Sequence, residues 1–107
     1  MADPKDFEEL EEDVEVADPD LGEPKRFAVY LHNDNYTSME FVIEVLVRIF
    51  KKSEDEATQI MLKVHTSGKA VAGIYVQEIA EMKVHQVMTG AKARGFPLLC
   101  TTEPVDS

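Results

Sequence analysis

Residues 27–32 alternate between apolar and other side chains, which is the pattern of a strand with one buried face. The buried face would hold Phe27, Val29 and Leu31. The polar segment 33–35 follows directly, and its Asn and Asp side chains favour turns because they bond to nearby backbone. The pattern therefore predicts a strand that ends at His32 in a polar loop.

Two helices are predicted after this loop, because apolar residues then recur at intervals of three and four. The first begins with a capping box at Thr37–Glu40, in which the Thr37 hydroxyl accepts from an unpaired amide, and runs to about Phe50. The second begins with a similar pattern at Ser53–Glu56 and ends at Gly68. The two helices are expected to form a tight pair. Their buried stripes would be Val42, Val45, Leu46 and Ile49 in the first and Ala57, Ile60, Met61 and Val64 in the second.

The last part of the chain predicts two more strands around a third helix. Residues 70–76 form the second strand, where Gly73 indicates the close approach of another backbone. A helix over 77–94 follows, and Pro97 in the final strand 96–102 indicates an edge or a strand start. The order β-α-α-β-α-β predicts an α+β domain in which three helices cover one face of a small, mostly antiparallel sheet of three strands.

The net charge of -10 lies entirely in the first quarter of the chain. Residues 1–24 hold eleven acids and one base, whereas residues 25–107 hold ten of each. Like charges and three prolines predict that 1–24 is a disordered acidic extension of one folded domain, 25–107. The extension is either a solubilising appendage or an arm that contacts a partner. Neither part has the positive surplus that nucleic-acid binding needs, so we expect no nucleic-acid partner.

Composition also argues against several classes of function. No apolar run approaches the roughly 18 residues of a membrane span, and no secretory signal is expected. The single cysteine, Cys100, excludes an internal disulfide, fits a reducing cytoplasm and is expected to be a buried, inert thiol. The three histidines share no close ligand spacing, and no nucleophile or acid–base pair stands in a catalytic context. We therefore expect no enzyme, no metal and no cofactor.

The strand-to-helix loop 33–37 concentrates short oxygen acceptors beside an apolar strand end and an apolar helix. Turn formation with a helix cap accounts for these residue types. They also suit a small polar mouth above an apolar hole, the arrangement of a ligand pocket. His65 ends the second helix, where it is either a solvated residue favoured by the helix dipole or, if the helical pair folds back, a part of this mouth.

Several blocks of this sequence, taken in order, resemble the ClpS family of bacterial adaptor proteins. They are LHNDNYTSMEFV at 31–42, ATQIMLKVH at 57–65 followed by Gly68 and Lys69, then Gly73, EIAEMK at 78–83 and PLLCT at 97–101. The resemblance covers residues 26–103. Asn35 and Ser38 depart from it, because the family usually has Asp and Pro at these positions.

The resemblance implies a three-stranded sheet covered by three helices, similar to the C-terminal domain of the ribosomal stalk protein. It implies a non-catalytic adaptor in the bacterial cytoplasm, without a cofactor or membrane contact. Such an adaptor delivers proteins with N-terminal Phe, Tyr, Trp or Leu to the ClpAP protease. The alternative is a passive interaction module like the stalk domain, which shares the fold but needs no pocket.

The resemblance also implies roles for individual residues. Asn33, Asp34 and His65 would bind the α-amino group of the substrate. Its side chain would be surrounded by Leu31, Thr37, Met39, Val42, Met61, Val64 and Leu98. Glu78 and Lys83 would lie on the surface that docks on the N-terminal domain of the ClpA unfoldase, and we expect the adaptor to be a monomer.

Overall fold

The computed structural model describes residues 24–105 and confirms the predicted order of elements. Strand β1 spans Arg26–His32, helix α1 Met39–Arg48, helix α2 Glu54–Ser67, strand β2 Lys69–Val76, helix α3 Gln77–Ala93 and strand β3 Leu99–Pro104. The predicted extension 1–24 lies outside the described residues except for Pro24, and so do residues 106 and 107 of the predicted domain.

The three strands form one antiparallel sheet in the order β2-β1-β3, so β1 is the central strand. Its last residue, His32, pairs with Lys69 at the start of β2 and with Leu99 at the start of β3. That end of the sheet therefore brings the loop after β1 next to the chain that leaves α2. Val29 and Leu31 of β1 are fully buried in the core that the sheet shares with the helices.

Strand β2 contains a bulge, because Val29 pairs with Gly73 while the next residue, Tyr30, pairs with Val71. The close approach predicted at Gly73 is made by the Tyr75 side chain and not by another backbone. A Cβ added at Gly73 would lie 2.5 Å from the Tyr75 Oη. Any larger residue at this position would therefore displace a buried aromatic ring.

Serine caps both helices of the predicted pair, which corrects the prediction for the first one. The Ser38 hydroxyl, and not that of Thr37, accepts from the backbone N–H of Phe41 at 3.1 Å. Thr37 is engaged elsewhere, because its hydroxyl donates to the Asp34 carboxylate at 2.7 Å. Helix α1 also ends at Arg48, earlier than predicted.

The start and end of α2 are as predicted. The Ser53 hydroxyl accepts from the N–H of Glu56 at 3.1 Å, and the Glu56 carboxylate accepts from the N–H of Ser53 at 3.4 Å. This reciprocal pair satisfies two amides that the helix itself leaves unpaired. Gly68 ends the helix in the left-handed conformation, with a φ of 92°.

The predicted burial of Cys100 is confirmed, since the residue is 4% exposed and pairs with Leu31 in the sheet. Burial raises the pKa of its thiol to about 12, so the nucleophilic thiolate is scarce at neutral pH. Within residues 24–105, no group of three or more His, Cys, Asp or Glu side chains is placed to hold a metal ion. No helix in the same range is long and apolar enough to cross a membrane.

Lys83, which was expected on the docking surface, is buried on α3. Its Nζ donates to the carbonyl of Ile49 at 2.9 Å, just beyond the last turn of α1, and lies 5.5 Å from the centre of the Tyr75 ring. The ammonium satisfies a carbonyl at the C-terminus of α1 and complements the helix dipole. Lys83 therefore ties α3 to α1.

Candidate ligand site at the end of strand β1

A cavity of about 230 Å³ opens where the loop after β1 meets the first turn of α1 and the last turns of α2. Its lining has a buried apolar part, formed by Val42, Met61 and Val64, and exposed polar residues that include Asn33 and His65. The full lining is Asn33, Asp34, Asn35, Thr37, Met39, Val42, Met61, Val64 and His65. The arrangement is a polar rim above an apolar floor.

Asn33 and His65 are distant along the chain, and a backbone hydrogen bond joins the segments that carry them. The N–H of Asn33 donates to the carbonyl of Gly68, directly after α2, at 2.8 Å. Met61 and His65 lie one turn apart on α2, so both face the same side of the helix. Of the two alternatives left open for His65, the structure therefore places it at the rim of the cavity.

Two of the residues predicted to surround a substrate side chain are not among those that line the cavity. Leu31 is 0% exposed and Leu98 2% exposed, and both belong to the hydrophobic core rather than to the cavity lining. Alternation along β1 turns Leu31 to the inner face of the sheet, where it packs in the core. Asn35 was given no individual role, yet it lines the rim, as expected for a member of the polar loop 33–37.

The Asp34 carboxylate organises the loop. Its Oδ1 accepts from the N–H of Tyr36 at 2.8 Å and from the N–H of Thr37 at 2.7 Å, and its Oδ2 accepts from the Thr37 hydroxyl at 2.7 Å. Partial burial opposes ionisation of Asp34, but the hydrogen bonds from Thr37 and Tyr36 outweigh it and lower its pKa below the usual 3.8. Asp34 therefore places a negative charge at the rim at neutral pH.

Asp34→Asn is expected to lower the melting temperature most at neutral pH and progressively less below about pH 4. An aspartate whose pKa is lowered by folding stabilises the protein above its unfolded-state pKa, and this stabilisation is lost as the pH falls through the folded-state pKa. Thermal unfolding of both proteins across this range measures the effect. The same change at exposed Asp55 is the control. A difference between wild type and Asp34→Asn that does not vary with pH would contradict the prediction.

The lining defines the chemistry of a suitable ligand. The amide oxygen of Asn33 and a neutral ring nitrogen of His65 can accept hydrogen bonds, and Asp34 adds negative charge. The floor beneath them favours an apolar group. At about 230 Å³ the cavity is smaller than the roughly 300–1,000 Å³ of pockets for drug-sized ligands, so it suits a single amino-acid residue. A cationic donor attached to an apolar side chain fits both parts.

Comparison with known proteins identifies the family. The family model of the ATP-dependent Clp protease adaptor protein ClpS matches residues 22–101. The chain belongs to the ClpS family. It is 53% identical over 95 residues to the ATP-dependent Clp protease adapter protein ClpS of Oleidesulfovibrio alaskensis, which is 88% of this chain and 91% of that protein. It is 57% identical over 81 residues to the ClpS of Desulfatibacillum aliphaticivorans, which is 76% of this chain and 78% of that one.

A solved structure of the same family shares the fold. It is that of Agrobacterium tumefaciens ClpS2 bound to L-phenylalaninamide, with a TM-score of 0.75 and 43% sequence identity, covering 77% of this chain and 99% of that one. The resemblance found in the sequence and the predicted fold are therefore confirmed. Proteins of the ClpS family are adaptors of the Clp protease, which is a non-catalytic role. The roles of individual residues stay predictions.

A second and wider depression of this ClpS-family protein, of about 410 Å³, lies at the opposite end of β1 from the cavity. Glu78 belongs to it and is exposed in the first turn of α3. The depression is lined by Pro24, Lys25, Phe27, Val76, Gln77, Glu78 and Glu81. Of the two residues predicted to dock on the unfoldase, Glu78 is thus accessible, whereas Lys83 is buried against α1.

Proposed function

We propose that this ClpS-family protein binds the free N-terminus of proteins that begin with Phe, Tyr, Trp or Leu and delivers them to the ClpAP protease. The observation that carries the proposal is the cavity in which Asn33, Asp34 and His65 form a rim of acceptors above a buried apolar floor. A chain that begins with a bulky apolar residue presents a cationic donor and an apolar side chain on one carbon atom. Such a ligand uses both parts of the cavity.

The ligand of the solved relative supports the proposal. L-phenylalaninamide has a free α-amino group, a Phe side chain and an amide in place of the carboxylate, so it has the chemistry of the first residue of a peptide. It is bound by the Agrobacterium tumefaciens protein, with which this chain shares 43% identity.

The magnitudes are sufficient for useful affinity. An N-terminal amine is mostly a cation at pH 7, because its pKa is about 7.7–8.0, and it has donors but no acceptor. Each hydrogen bond to a charged group contributes roughly 1.5–3 kcal/mol, and burial of a Phe or Leu side chain contributes about 1.5–3 kcal/mol. Two or three such bonds with one buried side chain reach about -8 kcal/mol, which is micromolar affinity. The amine bonds and the buried side chain both add to this value, so the site favours ligands that have both.

Fluorescence polarisation with a labelled Phe-initiated peptide tests the proposal. The free peptide is expected to bind with micromolar affinity, and its N-acetylated twin about 100-fold more weakly or worse, because acetylation removes the charge and most of the donors. A Ser-initiated peptide of otherwise identical sequence is the control for the apolar floor and is also expected to bind weakly. Equal binding of the free and acetylated peptides would contradict the proposal.

Delivery requires a second surface, since the substrate and the unfoldase are held at the same time. The depression around Glu78 is suited to this role, because it is accessible and lies at the opposite end of β1 from the cavity. Lys83 does not line this depression. Its contribution to docking would be indirect, because its ammonium donates to the Ile49 carbonyl and so holds α3 against α1.

Glu78→Lys is expected to weaken binding to the N-terminal domain of ClpA by about tenfold, because it reverses an exposed charge at the contact. Peptide affinity should stay unchanged. Glu54→Lys is the matched control, since Glu54 is also exposed in the first turn of a helix, α2. Calorimetry or surface plasmon resonance with the isolated ClpA domain measures both variants. Equal losses in the two variants would argue against a docking role for Glu78.

The alternative function is a passive interaction module like the stalk domain. It would be favoured if Asn33 and His65 lay far apart. The two residues line one cavity instead. No observation in residues 24–105 therefore favours that alternative over the adaptor.

A further inference from the structure

Gly68 connects α2 to β2, and its backbone forms hydrogen bonds with two residues that line the cavity. Its N–H donates to the carbonyl of Val64 at 3.0 Å, and its carbonyl accepts from the N–H of Asn33 at 2.8 Å. Val64 and His65 belong to the last turns of α2, and Asn33 begins the loop after β1. One residue therefore holds the two sides of the rim together.

This pair of contacts depends on a left-handed backbone at Gly68, whose φ is 92°. Other residues rarely adopt this conformation, because their Cβ crowds a carbonyl oxygen of the same chain segment. A Cβ at Gly68 would meet no other atom within 4 Å, so the surrounding structure leaves room for a side chain. The cost of a larger residue here is therefore conformational and does not come from crowding by neighbours.

We propose that Gly68 is a positioning residue of the amine site, whose left-handed backbone sets the separation between the acceptors of Asn33 and His65. A residue that leaves the left-handed region cannot keep both the bond to Val64 and the bond to Asn33. The rim then opens while the apolar floor stays in place. The expected loss of ligand affinity rests on the proposed function, whereas the expected loss of the hydrogen bond between Asn33 and Gly68 does not.

Gly95 offers a matched control for the same substitution. It follows α3 with a φ of 77°, and a Cβ there also meets nothing within 4 Å. Its N–H donates to the carbonyl of Lys92 at 3.1 Å, and it lies outside the cavity lining. Gly68→Ala and Gly95→Ala are therefore expected to lower the melting temperature by similar amounts, about 4–10 °C.

The two variants are expected to differ in peptide affinity, measured at a temperature at which both are folded. Gly68→Ala is expected to bind the free Phe-initiated peptide about five- to tenfold more weakly than wild type, because displaced acceptors form weaker bonds to the charged amine. Gly95→Ala should bind as wild type does. Gly68→Asn should recover most of the affinity, since Asn tolerates the left-handed region. Wild-type affinity in Gly68→Ala would overturn the proposal.

Hydrogen exchange of the Asn33 amide tests the contact without a ligand. Its protection, relative to the core amides of β1, is expected to fall in Gly68→Ala and to persist in Gly95→Ala and Gly68→Asn. Should Gly68→Ala fail to fold, loss of Asn33 protection in Gly68→Asn would overturn the proposal and its retention would support it. If the wild-type protein bound neither the free nor the N-acetylated Phe-initiated peptide, the proposed function would be refuted. If the Asn33 amide were as protected in Gly68→Ala as in wild type, only the positioning role would be refuted.

Discussion

Replacing Asn33 or His65 with alanine is expected to weaken the binding of a Phe-initiated peptide by roughly 10- to 150-fold. Each change removes one acceptor from the charged α-amino group, and such a bond contributes roughly 1.5–3 kcal/mol. Both residues are exposed at the rim, so their truncation leaves the buried floor in place. Fluorescence polarisation with the free peptide measures the loss, and an unchanged melting temperature shows that the fold persists.

The acetylated peptide distinguishes a lost hydrogen bond from a general disturbance of the cavity. Because it lacks the cationic amine, it should bind wild type, Asn33→Ala and His65→Ala equally weakly. His85→Ala is the matched control, since His85 is exposed on α3 and lies outside the cavity lining. An affinity of His65→Ala within about twofold of wild type, or an equal loss in His85→Ala, would refute the role given to His65.

Leu31→Ala is expected to lower the free energy of unfolding by about 2–5 kcal/mol. Leu31 is 0% exposed on the central strand and pairs with Ala70 and Cys100 on the neighbouring strands. Alanine at this position would leave a cavity inside a closely packed core, and its cost adds to the lost burial of the side chain. Urea denaturation followed by circular dichroism measures the change.

Leu62→Ala is the control for Leu31→Ala, because Leu62 is 48% exposed on α2. Its effect on the free energy of unfolding should stay within about 0.5 kcal/mol. The folded fraction of Leu31→Ala should bind the Phe-initiated peptide nearly as wild type does, since Leu31 does not line the cavity. A small loss of stability combined with a large loss of affinity would instead support the predicted role of Leu31 beside the substrate side chain.

The helices and strands were predictable because each is amphipathic or ends in a residue with strong local preferences. The predictions of the Ser53–Glu56 capping box and of the left-handed Gly68 are confirmed, since both features involve groups close together in sequence. The same local reasoning chose Thr37 over Ser38 as the first cap. It failed there because Asp34 competes for the Thr37 hydroxyl and amide, and the sequence pattern does not rank two adjacent hydroxyls.

The candidate site was predictable in part. The polar run that begins at Asn33 suggested a pocket mouth, and the resemblance to ClpS supplied the role of His65 and all three residues of the buried floor. The burial of Leu31 and Lys83 was not predictable, because the depth of a side chain depends on which elements pack over it. Leu31 lies under the helices, and Lys83 reaches across from α3 to the carbonyl of Ile49.

The amino-acid sequence by itself determined the order of elements, the caps of α2 and the membership in the ClpS family, because these depend on periodicity and short motifs. Only the tertiary structure decided the sheet order β2-β1-β3 and the meeting of Asn33 with His65. The bond from Asn33 to Gly68 joins segments that are remote along the chain. It follows directly from the pairing of His32 with Lys69, so the rim forms only once β1 and β2 have paired.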